Sequence, residues 1–160
     1  MTEKFYSEME YGENRLNPAK ILAQGTFRGW DYICVNMGTH PTAYVRIPKE
    51  SKFYQKHYDT IEQLEFYPHG HFTFSDMLFS SYFDRKITDG WYLGWDYGHA
   101  GDYRCPISLG VGNPHNFGLP YGAIQHSTDE MIGEAHLVII ALQKRENEVE
   151  SAADEAQETP

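Results

Sequence analysis

The sequence predicts an α+β fold: a largely antiparallel β-sheet with one long C-terminal helix packed on it. Three observations predict it. Alternating, aromatic-rich segments come first, at Trp30–Met37, Thr42–Ile47 and Trp91–Tyr97. Gly, Pro and Asn/Asp clusters separate them, as turns do. The one sustained helical stripe comes last, and strands followed by a packed helix favour α+β over a parallel α/β sheet.

Taken in order, residues 1–18 are polar and weakly patterned, a flexible lead-in or an edge element. Lys20–Thr26 reads as a short strand. In Trp30–Met37, Ile33, Val35 and Met37 fall on one side and Trp30, Tyr32 and Cys34 on the other. Both sides are apolar, which is the mark of an inner strand. Gly38-Thr39-His40-Pro41 then joins it to Thr42–Ile47 as a hairpin, and Pro48 ends the second strand. Glu50–Gln63 reads as a loop with a helical turn. Glu65–Ser75 reads as a strand broken by Pro68, with His69, His71, Thr73 and Ser75 on one face and Phe72 and Phe74 on the other. In Trp91–Tyr97, Trp91, Leu93, Trp95 and Tyr97 share one face, and Tyr92, Gly94 and Asp96 share the other. Tyr103–Gly122 is a long Gly- and Pro-rich loop, a type that is usually functional or mobile. Ser127 caps the final helix, with Glu130 completing a capping box. Met131, Ala135, Val138 and Leu142 form its stripe, widened by Ile132 and Ile139. Lys144 and Arg145 suit the negative end of its dipole.

The expected organisation is a lead-in over 1–18, one α+β domain over 19–145, and a disordered acidic tail over 146–160. With 160 residues, such a domain can bury a core without disulfides or metal. The net charge is −10, and 146–160 carries six of the acids with no Lys or Arg, leaving −4 on the remainder. A tail of that composition solvates rather than packs. No basic run exists to neutralise phosphates, so direct binding to a nucleic-acid backbone is not expected. No apolar run approaches the ~20 residues of a membrane helix. Met1–Glu10 has no apolar leader, so a cytoplasmic, reducing setting is expected, with Cys34 and Cys105 as free thiols. Cys34 sits in an apolar strand and reads as inert packing. Cys105, before Pro106, is a weak nucleophile candidate.

The chemistry-bearing residues concentrate in two stretches, His69-Gly70-His71 and Trp91–Asp102. His69, His71, Asp96, His99 and Asp102 are imidazole and carboxylate donors of the kind that bind zinc or manganese. The same residues also suit a metal-free pocket for a small polar ligand, lined by His69, Thr73, Tyr92, Asp96, His99, Asp102 and Tyr103. A structural use competes with both, since Asp96 can cap its own turn through backbone N–H groups. As catalytic candidates, His99 can serve as a general base oriented by Asp96 or Asp102. Trp91, Tyr92, Trp95, Tyr97 and Tyr103 offer ring surface to a free nucleotide or heteroaromatic, with core packing favoured for the two Trp. Arg28, Arg46 and Arg104 are the candidate phosphate contacts. Gly110-Val111-Gly112 has no third Gly at His115 and no Lys-Ser/Thr, so it reads as loop. Glu134 and His136 interrupt the helical stripe and read as solvated, with Glu134 able to lean toward the sheet.

Tyr32–Pro48, Phe53–Ile61, His69–Ser75 and Trp91–Asp102, in that order, resemble a group of small phage and prophage proteins. Their pattern runs G-Y-V-x-V-P, x-x-Y-x-x-I, V-H-G-G-x-T-x-S and W-W-x-G-F-D-x-x-H-x-x-D, followed by a C-terminal helix. The Trp-Asp-His-Asp block is the specific part, and the resemblance covers most of the body. His69, Asp96, His99 and Asp102 match the pattern. His71 replaces a Gly, Tyr92 the second Trp, and Trp95 a Phe. The resemblance implies a setting, an accessory protein of an infected or lysogenic host cell, and no mechanism.

Three functions fit these residues. The first is binding of a small polar, nucleotide-like ligand in the His/Asp/Tyr pocket, as in countering a host defence. The second is a metal-dependent hydrolase built on the same cluster. The third is an acidic protein–protein inhibitor acting through the tail.

Overall fold

A computed structural model describes residues 18–38, 40–99 and 126–158. Asp102, Tyr103, Arg104, Cys105, the Gly110–Gly112 stretch and the rest of the 103–122 loop lie outside these residues, as does the lead-in over 1–17. The fold is α+β. Five strands, β1 (Lys20–Phe27), β2 (Trp30–Asn36), β3 (Pro41–Arg46), β4 (Phe74–Leu78) and β5 (Gly90–Asp96), form one antiparallel sheet in the order β1-β2-β3-β5-β4. Among the described residues one α-helix, α1 (Thr128–Glu158), packs across one face.

Local chemistry accounts for the connections. Arg28 and Gly29, both at positive φ (50° and 83°), join β1 to β2 as a two-residue hairpin turn whose twist matches the strands. The β2–β3 hairpin closes through Met37 N–H donating to His40 O at 3.2 Å. β3 then pairs with β5 across a gap of more than forty residues. Tyr44 stands opposite Gly94, where a β-carbon would lie 2.4 Å from the Tyr44 ring. Gly94 thus lets the ring lie against the neighbouring strand.

Alternation along β2 and β5 divides the apolar residues between two layers. Cys34, Val45, Leu93, Trp95 and Tyr97 meet Met131, Ala135, Val138, Ile139 and Leu142 of α1, all fully buried. Burial of each large aliphatic contributes about 1.5–3 kcal/mol. On the other face, Ile33, Val35, Tyr44 and Tyr92 are covered by the 79–89 connection through Ile87 and Phe83. That connection arches from β4 to the far edge. There Ala19 N–H donates to Tyr82 O, Asp84 N–H donates to Ala19 O, and Ile21 N–H donates to the Asp84 carboxylate. These bonds occupy part of the β1 edge, which would otherwise present unpaired donors.

Two expectations are corrected. The alternation expected from His69 begins only at Phe74. His71 N–H donates to Pro68 O in a tight turn, and Gly70 and His71 both take positive φ (67° and 72°). Phe72 therefore joins the helix-side core and Phe74 the opposite layer. The helix also does not stop at Arg145. Ala, Glu and Gln are strong helix formers, and α1 runs on to Glu158 instead of giving way to a disordered tail at 146. Glu146 accepts hydrogen bonds from Ser51 Oγ and from Lys52 N–H (2.7 Å), so the start of the acidic stretch is docked.

Candidate functional site

The site forms where the end of β5, the 68–73 loop and the start of α1 meet. Tyr97 continues the core face of β5, is fully buried, and accepts a hydrogen bond from Trp95 Nε1 at 3.0 Å. Burial, then the nearby Glu134 carboxylate, push its phenol above the ordinary range. The His69 ring stacks on Tyr97 at a centroid distance of 5.3 Å and an interplanar angle of 9°. The His126 ring lies 4.5 Å from His69 and 4.9 Å from Tyr97. The His99 ring lies 5.5 Å from His69, edge to face at 68°. Two imidazoles thus pack on one buried phenol, and His99 joins them through His69.

Carboxylates hold these rings from behind. His126 Nδ1 is 3.0 Å from Glu130 Oε2, one helical turn on. His99 Nδ1 is 3.6 Å from Asp96 Oδ1, an ion-pair distance longer than a hydrogen bond. Glu134 Oε2 accepts the backbone N–H of His69 at 2.7 Å, fixing the loop to α1. Asp96 also caps its own turn, accepting from Gly98 N–H at 2.9 Å, and accepts from the Thr73 hydroxyl at 3.1 Å. His40, from the β2–β3 hairpin, packs over Gly98, where a β-carbon would meet its ring at 2.9 Å. The α1 N-terminus is capped as expected, with Glu130 N–H donating to Ser127 Oγ at 3.1 Å. His99 and Asp96 keep about a third and a quarter of their side-chain surface exposed, so the cluster is open to solvent.

No protein-family model, curated protein or solved structure matches the chain.

Of the residues expected at one site, His69, Thr73, Asp96 and His99 come together. His71 does not join them. It is exposed, stacks on Tyr67 at 4.4 Å, and its Nδ1 accepts from Phe72 N–H. The turn at Gly70 reverses the direction that strict alternation would have given it. Tyr92 does not join them either. It is fully buried four residues before Asp96, and its hydroxyl donates to Thr88 O in the opposite layer. Asp102 and Tyr103 lie outside the described residues. Glu134 does lean toward the sheet, and His136 is packed rather than solvated, stacked on Phe27 at 4.0 Å.

Sequence reading missed His126, His40 and the second use of Glu130. One signal was available for His126. It immediately precedes the helix cap, a position that must lie wherever the helix enters the fold.

Proposed function

We propose that the protein binds a small polar ligand at the His69–His99–His126 cluster and holds it without turnover. The observation that carries this reading is the packing of His69 and His126 on Tyr97, with His99 against His69 and Asp96 bonded to Thr73 beside it. Imidazoles donate or accept according to tautomer, and their faces pack against planar groups. A nucleotide-like ligand offers all three kinds of contact. Among the described residues, two further nucleophilic side chains are committed elsewhere. Cys34 is fully buried with its thiol pushed up to about 12, and Ser127 is buried as the helix cap. The resemblance to phage and prophage proteins supplies a setting: capture of a host signalling nucleotide in the cytoplasm of an infected or lysogenic cell.

A second reading, a zinc- or manganese-dependent hydrolase, is favoured by one observation. His126 has a carboxylate hydrogen-bonded at Nδ1, the arrangement that orients metal-ligating histidines, and Asp96 stands 3.6 Å from Nδ1 of His99. Against it, no group of three or more His, Cys, Asp or Glu able to hold a metal ion is found among the described residues. Ligand capture therefore ranks first.

Native mass spectrometry of protein taken from infected cells separates the readings. Capture predicts an intact small molecule released on denaturation and lost in a folded His126→Ala variant. Stoichiometric metal with a cleaved molecule would replace it with the hydrolase.

A further inference from the structure

A second cleft, of about 900 Å³, opens on the sheet face away from α1, between the 79–89 arch and strands β1 and β2. Tyr92 lies beneath it. Gln24 and Asp31 line its strand side, and Lys86 and Asp89 its arch side. Asp31 Oδ1 accepts the Thr26 hydroxyl at 2.6 Å, and Asp89 Oδ1 accepts Ser80 N–H at 2.8 Å. Each carboxylate is thereby pinned through one oxygen, and its second oxygen accepts no hydrogen bond among the described residues. Among the described residues, the Gln24 amide and the Lys86 ammonium make no hydrogen bond or ion pair with the protein. Burial first, then Asp31 and, beyond the opposing Arg46, Asp89 push the Tyr92 phenol above its ordinary range. Both carboxylates line the same cleft as the buried Tyr92.

We infer that this cleft is a binding site for a small neutral polyol of the saccharide class. The lining decides among ligand chemistries. A phosphorylated ligand would face two carboxylates at close range, and a polyamine would face Lys86. Sugar hydroxyls donate and accept, so they match carboxylates, ammonium and amide together. Ile33 and Ile87 also line the cleft, as the buried layer that closes it from below. The volume falls within the usual range of small-molecule sites. The site stands apart from the histidine cluster and does not rest on its function.

Titration of the full chain, followed by ¹H–¹⁵N spectra, tests this with four probes: maltose, ribose, spermidine and inorganic phosphate. The expected result is saturable shifts from maltose or ribose at the amides of 24–33 and 86–92, with none there from spermidine or phosphate. Asp31→Asn, which keeps an acceptor for Thr26, should weaken polyol binding about tenfold. Lys86→Ala, at an exposed position, should weaken it as well and guards against a folding failure. The inference is overturned by no saturable polyol shift at these amides. Preferential spermidine or phosphate binding there, or undiminished polyol affinity in both variants, would overturn it equally.

Discussion

The His99 ring lies against the backbone of Gly70, so closely that a β-carbon at position 70 would stand 2.2 Å from His99 Cε1. Gly70 also takes a φ of +67°, a region that costs L-residues about 1 kcal/mol or more. One glycine therefore shapes the 68–71 turn and seats an imidazole of the cluster.

Gly70→Ala should lower stability by about 1–3 kcal/mol and displace His99, read by urea unfolding and by the His99 ring signals. Gly133→Ala is the control of opposite sign. It is exposed in α1 with nothing near its would-be β-carbon, and alanine there should add about 1 kcal/mol.

Tyr97→Phe removes the acceptor of Trp95 Nε1 in a fully buried setting. The stranded indole N–H should cost about 1–3 kcal/mol. Thermal unfolding measures the loss, and an unchanged midpoint would show that another group takes over as acceptor.

The layers on either side of the sheet were legible in the sequence because apolar periodicity is local. The β2–β3 hairpin, the two faces of β5 and the stripe of α1 all follow from it. The site was legible only in part. His69, Asp96 and His99 stood out by residue type. His71 was misplaced because Pro68 and Gly70 build a turn where alternation implied a strand. His126 carried no pattern of its own, and its meeting with His69 depends on α1 returning to the end of β5. Tyr92 was assigned to the correct strand face, but that face belongs to a different layer and a different cleft.

Stability should fall at alkaline pH. Burial raises the Cys34 thiol from 9.0 to about 12, so the folded protein keeps a proton that the unfolded chain releases. The contribution is intact below 9 and is lost as pH climbs from there toward 12. Tyr32, Tyr92 and Tyr97, all raised from 10.0, act with the same sign. Urea unfolding from about pH 8 to about pH 11 should show a steady decline, shallower at its lower end in Cys34→Ala.

Truncation divides the acidic stretch in two. Removal of 146–160 takes away Glu146 and its bonds to Ser51 and Lys52, and should cost about 1–2 kcal/mol. Removal of 150–160 spares those bonds and should leave the unfolding midpoint near that of the full chain. An acidic inhibitor acting through its tail would lose its effect in both truncations, whereas ligand capture survives the shorter one.

The most direct test of ligand capture is an NMR record of the histidine rings while the small-molecule fraction from infected cells is added. The account predicts that the signals of His69, His99 and His126 shift together and saturate. His57, His71 and His136, which stand outside the cluster, should stay in place. Shifts confined to those three, or no shift at His69, His99 and His126, would contradict it.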